Sequence, residues 1–163
     1  YQTVTLGSMD AHNTFWYGGS LTVTNITGNI SITGTVNLDG RFDDRDGILR
    51  LATTGGAIAI GSRGTTNAFD LSKIDYATFS APSNSTIYAR ILGADGIEAD
   101  GVTTGSHQIG ADLRAPTGQK IYYDRTVNPA LFAGGANGLY TLTGGGTLEP
   151  LRQVPTGTVF RIQ

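Results

Sequence analysis

The chain has no cysteine among its 163 residues. That absence removes disulfides, thiolate metal sites and a cysteine nucleophile together, and leaves the redox compartment open. Charge is scarce too. Asp, Glu, Lys and Arg make up 15% of the chain, so Thr, Ser, Asn and backbone must cover much of the surface. The formal net charge is −2 and the eleven basic residues are scattered. No nucleic-acid partner is expected, because phosphate backbones need a concentrated basic face, and no run resembles an anionic-lipid or heparin patch. No apolar run approaches eighteen residues, so no membrane span is expected. The only histidines are His12 and His107, too few for a three-histidine zinc site. The sequence opens at Tyr1 rather than Met, which reads as a removed leader or a fragment boundary.

What is present is glycine, 24 residues of it, threonine and short β segments. One core is the default at this length, burying about two-thirds of the unfolded surface. The most regular stretch, NITGNISITGTVNLDG at 25–40, reads as half of a hairpin. With Gly28 and Asn29 as a two-residue II′ loop, Thr27 faces Ile30, Asn25 faces Ile32, Val23 faces Gly34 and Leu21 faces Val36. Leu21, Val23, Ile30, Ile32 and Val36 then share a buried side. Thr22, Thr24, Ser31, Thr33 and Thr35 share the other, with Ile26 the exception. A flat threonine array of that kind also suggests ice binding, but only one hairpin displays it.

Further β segments are QTVTL (2–6), ILRLA (48–52), AIAI (57–60), DYATFS (75–80), STIYARIL (85–92), KIYYD (120–124), LYTL (139–142) and TVFRI (158–162), separated by Gly, Pro, Asn and Asp. FDLSKIDYA at 69–77, with Asp70 as cap, is the best helix candidate. The expected fold is all-β, an antiparallel sandwich or jelly-roll-like domain with many short strands. Its core aromatics would be Phe15, Trp16, Tyr76, Phe79, Tyr88, Tyr122, Tyr123 and Phe160. A β-solenoid or interwoven fibre is the alternative, placed second because no strict repeat period is found. Residues 1–127 read as the all-β domain. Residues 128–163 read as Gly-rich turns and a C-terminal β arm, packed on that domain or on a neighbouring subunit.

Candidate chemistry is thin. Asp39, Asp43, Asp44 and Asp46 cluster in DGRFDDRDG, but the alternating twelve-residue calcium-loop pattern fails and Arg41 and Arg45 sit among them. Ala94-Asp95-Gly96 and Ala99-Asp100-Gly101 are turn formers, and Glu98 with Asp100 gives no facing pair of carboxyls for a glycosidase. Ser106 beside His107 lacks the spatial hydrogen bond and third group of a triad. Asn25, Asn29 and Asn84 begin N-x-Ser/Thr sequons. Trp16, Tyr17, Tyr122 and Tyr123 are candidates for stacking on a glycan. No catalytic, cofactor-binding or metal-ligating residue is assigned, and no cofactor is expected.

TGNISITGTVNLDGRFDDRDG resembles a segment common in bacteriophage tail-fibre and related virion-appendage proteins. IGADLRAPTGQKIYYD, from Ile109 to Asp124, resembles the fibre motif in which Arg-Ala-Pro precedes Tyr-Asp, departing from it by the inserted Thr117-Gly118-Gln119-Lys120. Together they cover about a quarter of the chain. The resemblance implies a β-rich, non-enzymatic virion part, commonly trimeric and attached to a tail or capsid. The resulting expectation is a non-catalytic, self-assembling structural subunit of a virion appendage or surface layer. Expected partners are copies of itself, other virion or surface-structure proteins and host-surface glycans. A secreted pilus-like filament subunit assembled by strand addition, and a carbohydrate-binding or carbohydrate-active β protein, are the alternatives.

Overall fold

The structure is a computed structural model that describes residues 2–12, 20–39, 48–64, 66–71, 76–95 and 111–152. The chain winds in successive coils, the first three each laying one strand on each of three sheets. The first coil holds β1 (Val4–Leu6), β2 (Met9–His12) and β3 (Ser20–Asn25). The second holds β4 (Ile30–Ile32), β5 (Val36–Asp39) and β6 (Ile48–Thr53), and the third β7 (Ile58–Ile60), β8 (Ala68–Asp70) and β9 (Tyr76–Ser80). The fourth holds β10 (Ser85–Ile87), β11 (Arg90–Leu92), β12 (Ala94–Asp95) and β13 (Ala111–Arg114). After β14 (Lys120–Tyr123) come a five-residue helix, α1 (Pro129–Ala133), then β15 (Tyr140–Thr141) and β16 (Thr147–Pro150).

The strand orders are β1-β4-β7-β10-β14-β16-β15, β11-β8-β5-β2 and β12-β13-β9-β6-β3. Every strand pair among the described residues is parallel except β15·β16. The antiparallel sandwich or jelly roll is therefore overturned: neighbours in a sheet are strands one coil apart, not strands joined by a tight turn. The strand order describes a solenoid.

The hairpin fails for the same reason. β3 pairs with β6 in the third sheet, and β4 with β1 and β7 in the first. A II′ turn needs positive φ at its first central residue, and Gly28 is not among the glycines with positive φ. Residues 26–29 form a corner between sheets, and Gly28 is needed there because a Cβ would run into Gln2 O of the preceding coil. The threonine row divides accordingly: Thr22 and Thr24 lie outward on the third sheet, Ser31 on the first, Thr33 and Thr35 at the following corner.

The core runs along the axis as ladders of equivalent side chains. Leu6, Ile32, Ile60, Ile87 and Tyr123 stack in register on the first sheet; Met9, Val36, Phe69 and Ile91 on the second; Val23, Leu51 and Phe79 on the third. Phe69 and Phe79 meet edge to face at 5.9 Å. Of the aromatics expected inside, Phe79 and Tyr123 are buried, Tyr76, Tyr88 and Tyr122 are half-buried, and Phe15, Trp16 and Phe160 lie outside the described residues. The helix expected over 69–77 is absent where the chain is described: Asp70 ends β8 and Tyr76 opens β9. Aromatic and β-branched neighbours override weak helix propensity there.

Corner sterics set the coil spacing. A Cβ on Gly55 would lie 2.7 Å from Thr27 C of the coil before, at an ordinary φ. Gly55→Ala should cost about 1–3 kcal/mol through overpacking. Urea titration checks it: an unchanged midpoint would show that the corner yields.

Candidate assembly interface

Among the described residues no group of three His, Cys, Asp or Glu side chains is placed to hold a metal, and no helix is long and apolar enough to cross a membrane. The features that call for explanation are the two ends of the coil stack, which differ.

At the far end two of the three sheets end in a different way. On the first sheet, β15 turns back antiparallel on β16, pairing Tyr140 with Leu148 and Thr141 with Thr147. The Tyr123 hydroxyl donates to Gly138 O at 3.0 Å and the Tyr140 hydroxyl to Leu131 O at 2.6 Å, tying this return to α1. On the second sheet, Asn128 does the work of a missing strand. Its Nδ2 donates to Ala89 O at 3.0 Å while its Oδ1 accepts from Ile91 N–H at 2.8 Å. Those are the two groups that a peptide opposite Arg90 would bond in a parallel ladder. A second donation from Nδ2 goes to Asp124 O at 3.0 Å. The helix begins just after, with Pro129 at its first turn, where a missing N–H costs nothing. The sequence predicts Gly-rich turns before the C-terminal β arm here; the short helix is hidden among glycines and alanines.

The near end is uncovered by the described residues. β1, β2 and β3 are the edge strands of the three sheets, and no described residue pairs with their outer edges. Val4, Leu6, Leu21 and Val23 point inward yet remain half-buried, whereas Ile30, Ile32 and Leu49 one coil further in are fully buried.

The first corner is nonetheless rigidly made. Asn25, 6% exposed, donates from Nδ2 to Gln2 O at 3.1 Å and to Asn29 O at 2.7 Å, and its Oδ1 accepts from Thr27 N–H at 3.1 Å. With that nitrogen buried and engaged, the Asn25 sequon is closed to a glycan. Asn29 and Asn84 are exposed, the former accepting from Ala57 N–H at 2.9 Å.

The outer wall of the third sheet carries a polar cluster. Arg50 and Thr78 stand in register between Thr22 and Arg114. The Arg114 guanidinium lies 4.1 Å from the centre of the Tyr76 ring, and Arg50 donates to the Tyr76 hydroxyl at 2.9 Å. These contacts brace adjacent coils from outside, each cation–π pair contributing about 0.5–1 kcal/mol.

On the first sheet Lys120 Nζ and Glu149 Oε1 meet at 2.8 Å. The Lys120 hydrogen bond holds the Glu149 carboxyl below the ordinary carboxylate range, helped by the Thr147 hydroxyl and opposed by partial burial; Lys120 is raised in return. A lowered folded pKa stabilises above the unfolded value and loses that contribution as pH falls through the folded one. Glu149→Gln should therefore lower the melting temperature slightly at neutral pH, with the gap to the parent closing below about pH 4. A gap that persists in acid would assign the loss to packing instead.

Of the glycan-stacking candidates, Tyr123 is fully buried, and burial pushes its hydroxyl up to about 12; Tyr122 is half-buried; Trp16 and Tyr17 lie outside the described residues. Tyr123, named both as a core aromatic and as a stacking candidate, is core. Of the reactive candidates, the backbone of His12 ends β2, that of Asp39 ends β5 and that of Asp95 ends β12. Arg41, Asp43, Asp44, Arg45, Asp46, Glu98, Asp100, Ser106 and His107 lie outside the described residues. No protein-family model, curated protein or solved structure matches the chain.

Proposed function

We propose that this chain is a non-catalytic structural subunit of a virion appendage or surface layer, joined end-on to further β polypeptide by strand addition. The observation that supports the reading is a stack of parallel coils whose first strands, β1, β2 and β3, have no pairing partner on their outer edges among the described residues. Open edges add strands, and a coil stack transmits load along its axis through continuous hydrogen-bond ladders. The resemblance to tail-fibre segments points the same way. The join is made by β1, β2 and β3, since β15 runs antiparallel at the other end of the first sheet and would not continue it in simple head-to-tail repetition.

Immunoelectron microscopy with antibody raised against the purified chain tests this on the source virions or cells. Label along fibres or an outer layer is the expected result. Label confined to the interior, or turnover of a polysaccharide by the purified chain, would overturn the proposal.

A further inference from the structure

Register on the third sheet gathers residues that the sequence scatters. β3, β6, β9 and β13 lie side by side and parallel, and their pairing aligns Thr22, Arg50, Thr78 and Arg114 in one row across four coils. The row faces outward, because the next row, Leu21, Leu49, Ala77 and Leu113, is the one packed in the core. It alternates hydroxyl and guanidinium at every step. Adjacent strands lie about 4.8 Å apart, so the backbones of Arg50 and Arg114 stand about 10 Å apart along the coil axis, with Thr78 between them. Thr24 and Ser80 add exposed hydroxyls in the row beyond.

Tyr76, in the outer row on the other side with Ile48 and the backbone of Asp112, orients both cations. Its ring centre lies 4.1 Å from the Arg114 guanidinium, and its hydroxyl accepts from Arg50 Nη2 at 2.9 Å. Such contacts fix a guanidinium without cancelling its charge, and a guanidinium stacked on a ring keeps its N–H groups in its own plane. Arg50 is exposed, and among the described residues no carboxylate pairs with it.

We propose that the outer wall of the third sheet binds a linear acidic polysaccharide along the coil axis, with Arg50 and Arg114 on carboxylates of alternate sugars and Thr22 and Thr78 on the neutral sugars between them. A planar carboxylate matches the in-plane donors of a guanidinium in pairs. The spacing selects the polymer. An extended acidic peptide presents alternate side chains about 7 Å apart, out of step with the two cations, and DNA phosphates recur more closely still. The span of an extended disaccharide fits. The inference deepens the structural-subunit reading by giving it a partner class, and rests on it only for the setting.

The probe is hyaluronan, in which a carboxylate recurs on every second sugar. It is immobilised and offered to the purified chain at about 0.15 M salt, where charges that make no contact are largely screened. Uncharged dextran and single-stranded DNA serve as comparisons. The parent chain is expected to bind hyaluronan in preference to both. Arg50→Gln and Arg114→Gln should each weaken that binding about tenfold. Arg50→Lys keeps the charge but not the planar fork, so it recovers only part of the loss and separates binding from any effect on folding. Arg63→Gln removes the same charge from the exposed corner between the first and second sheets and should leave binding unchanged.

A parent chain that ignores hyaluronan, or binds dextran or DNA as well, overturns the proposal. So does a loss on Arg63→Gln as large as that on Arg50→Gln, which would make the attraction a matter of overall charge. None of these outcomes bears on the microscopy, so the binding wall can fail while the structural-subunit reading stands.

Discussion

Phe79→Ala lowers stability by about 3–5 kcal/mol, the range for truncating a fully buried aromatic. Phe79 has no solvent exposure, ends the inward row Val23–Leu51–Phe79 and packs edge to face on Phe69 of another sheet. The cavity opens where two sheets meet, and the hydrogen-bonded ladders on either side resist collapse into it. Tyr76→Ala, three residues earlier on the same strand but on the outer wall, should cost no more than about 1 kcal/mol. Urea unfolding of the two variants side by side provides the measurement. Equal losses would mean that the inward and outward faces of β9 are wrongly assigned.

Asn128→Ala costs about 3 kcal/mol, although it removes only a small polar group. Three hydrogen bonds end at this one carboxamide, and alanine leaves Ile91 N–H and Ala89 O at a buried sheet edge without their partner. Each such group carries about 1–3 kcal/mol of desolvation. Asn128→Asp keeps the acceptor for Ile91 but not the donor for Ala89 and Asp124, so it recovers little. Hydrogen exchange at Ile91 reports the mechanism directly: its amide should exchange faster in Asn128→Ala while that of Leu51, remote from the site, changes only with global stability. Unaltered exchange at Ile91 would refute the account of Asn128 as a strand substitute.

Much of the fold was legible locally. ILRLA, AIAI, DYATFS and KIYYD are strands, and Leu21, Val23, Ile30, Ile32 and Val36 all face inward. STIYARIL was legible only in part, since a corner at Tyr88-Ala89 divides it between two sheets. The repeat stayed hidden because its length drifts. From Val4 to Ile30 the chain advances 26 residues, from Thr86 to Tyr122 it advances 36, and from Phe69 to Ile91 only 22. Insertions at corners leave every ladder intact while erasing any fixed period.

The half-burial of Val4 and Leu6 was not legible at all, because it exists only once the coils are stacked.

Alternation of apolar and polar residues determined which side of each strand turns inward, since pleating makes that a property of two adjacent positions. Which strands became neighbours, in which direction, and at which end the stack was left open were decided only in three dimensions. Backbone hydrogen bonds join strands without regard to side-chain identity, so the choice fell to the corners, where the space beside Gln2, Ser8 and Thr27 admits a glycine and nothing larger.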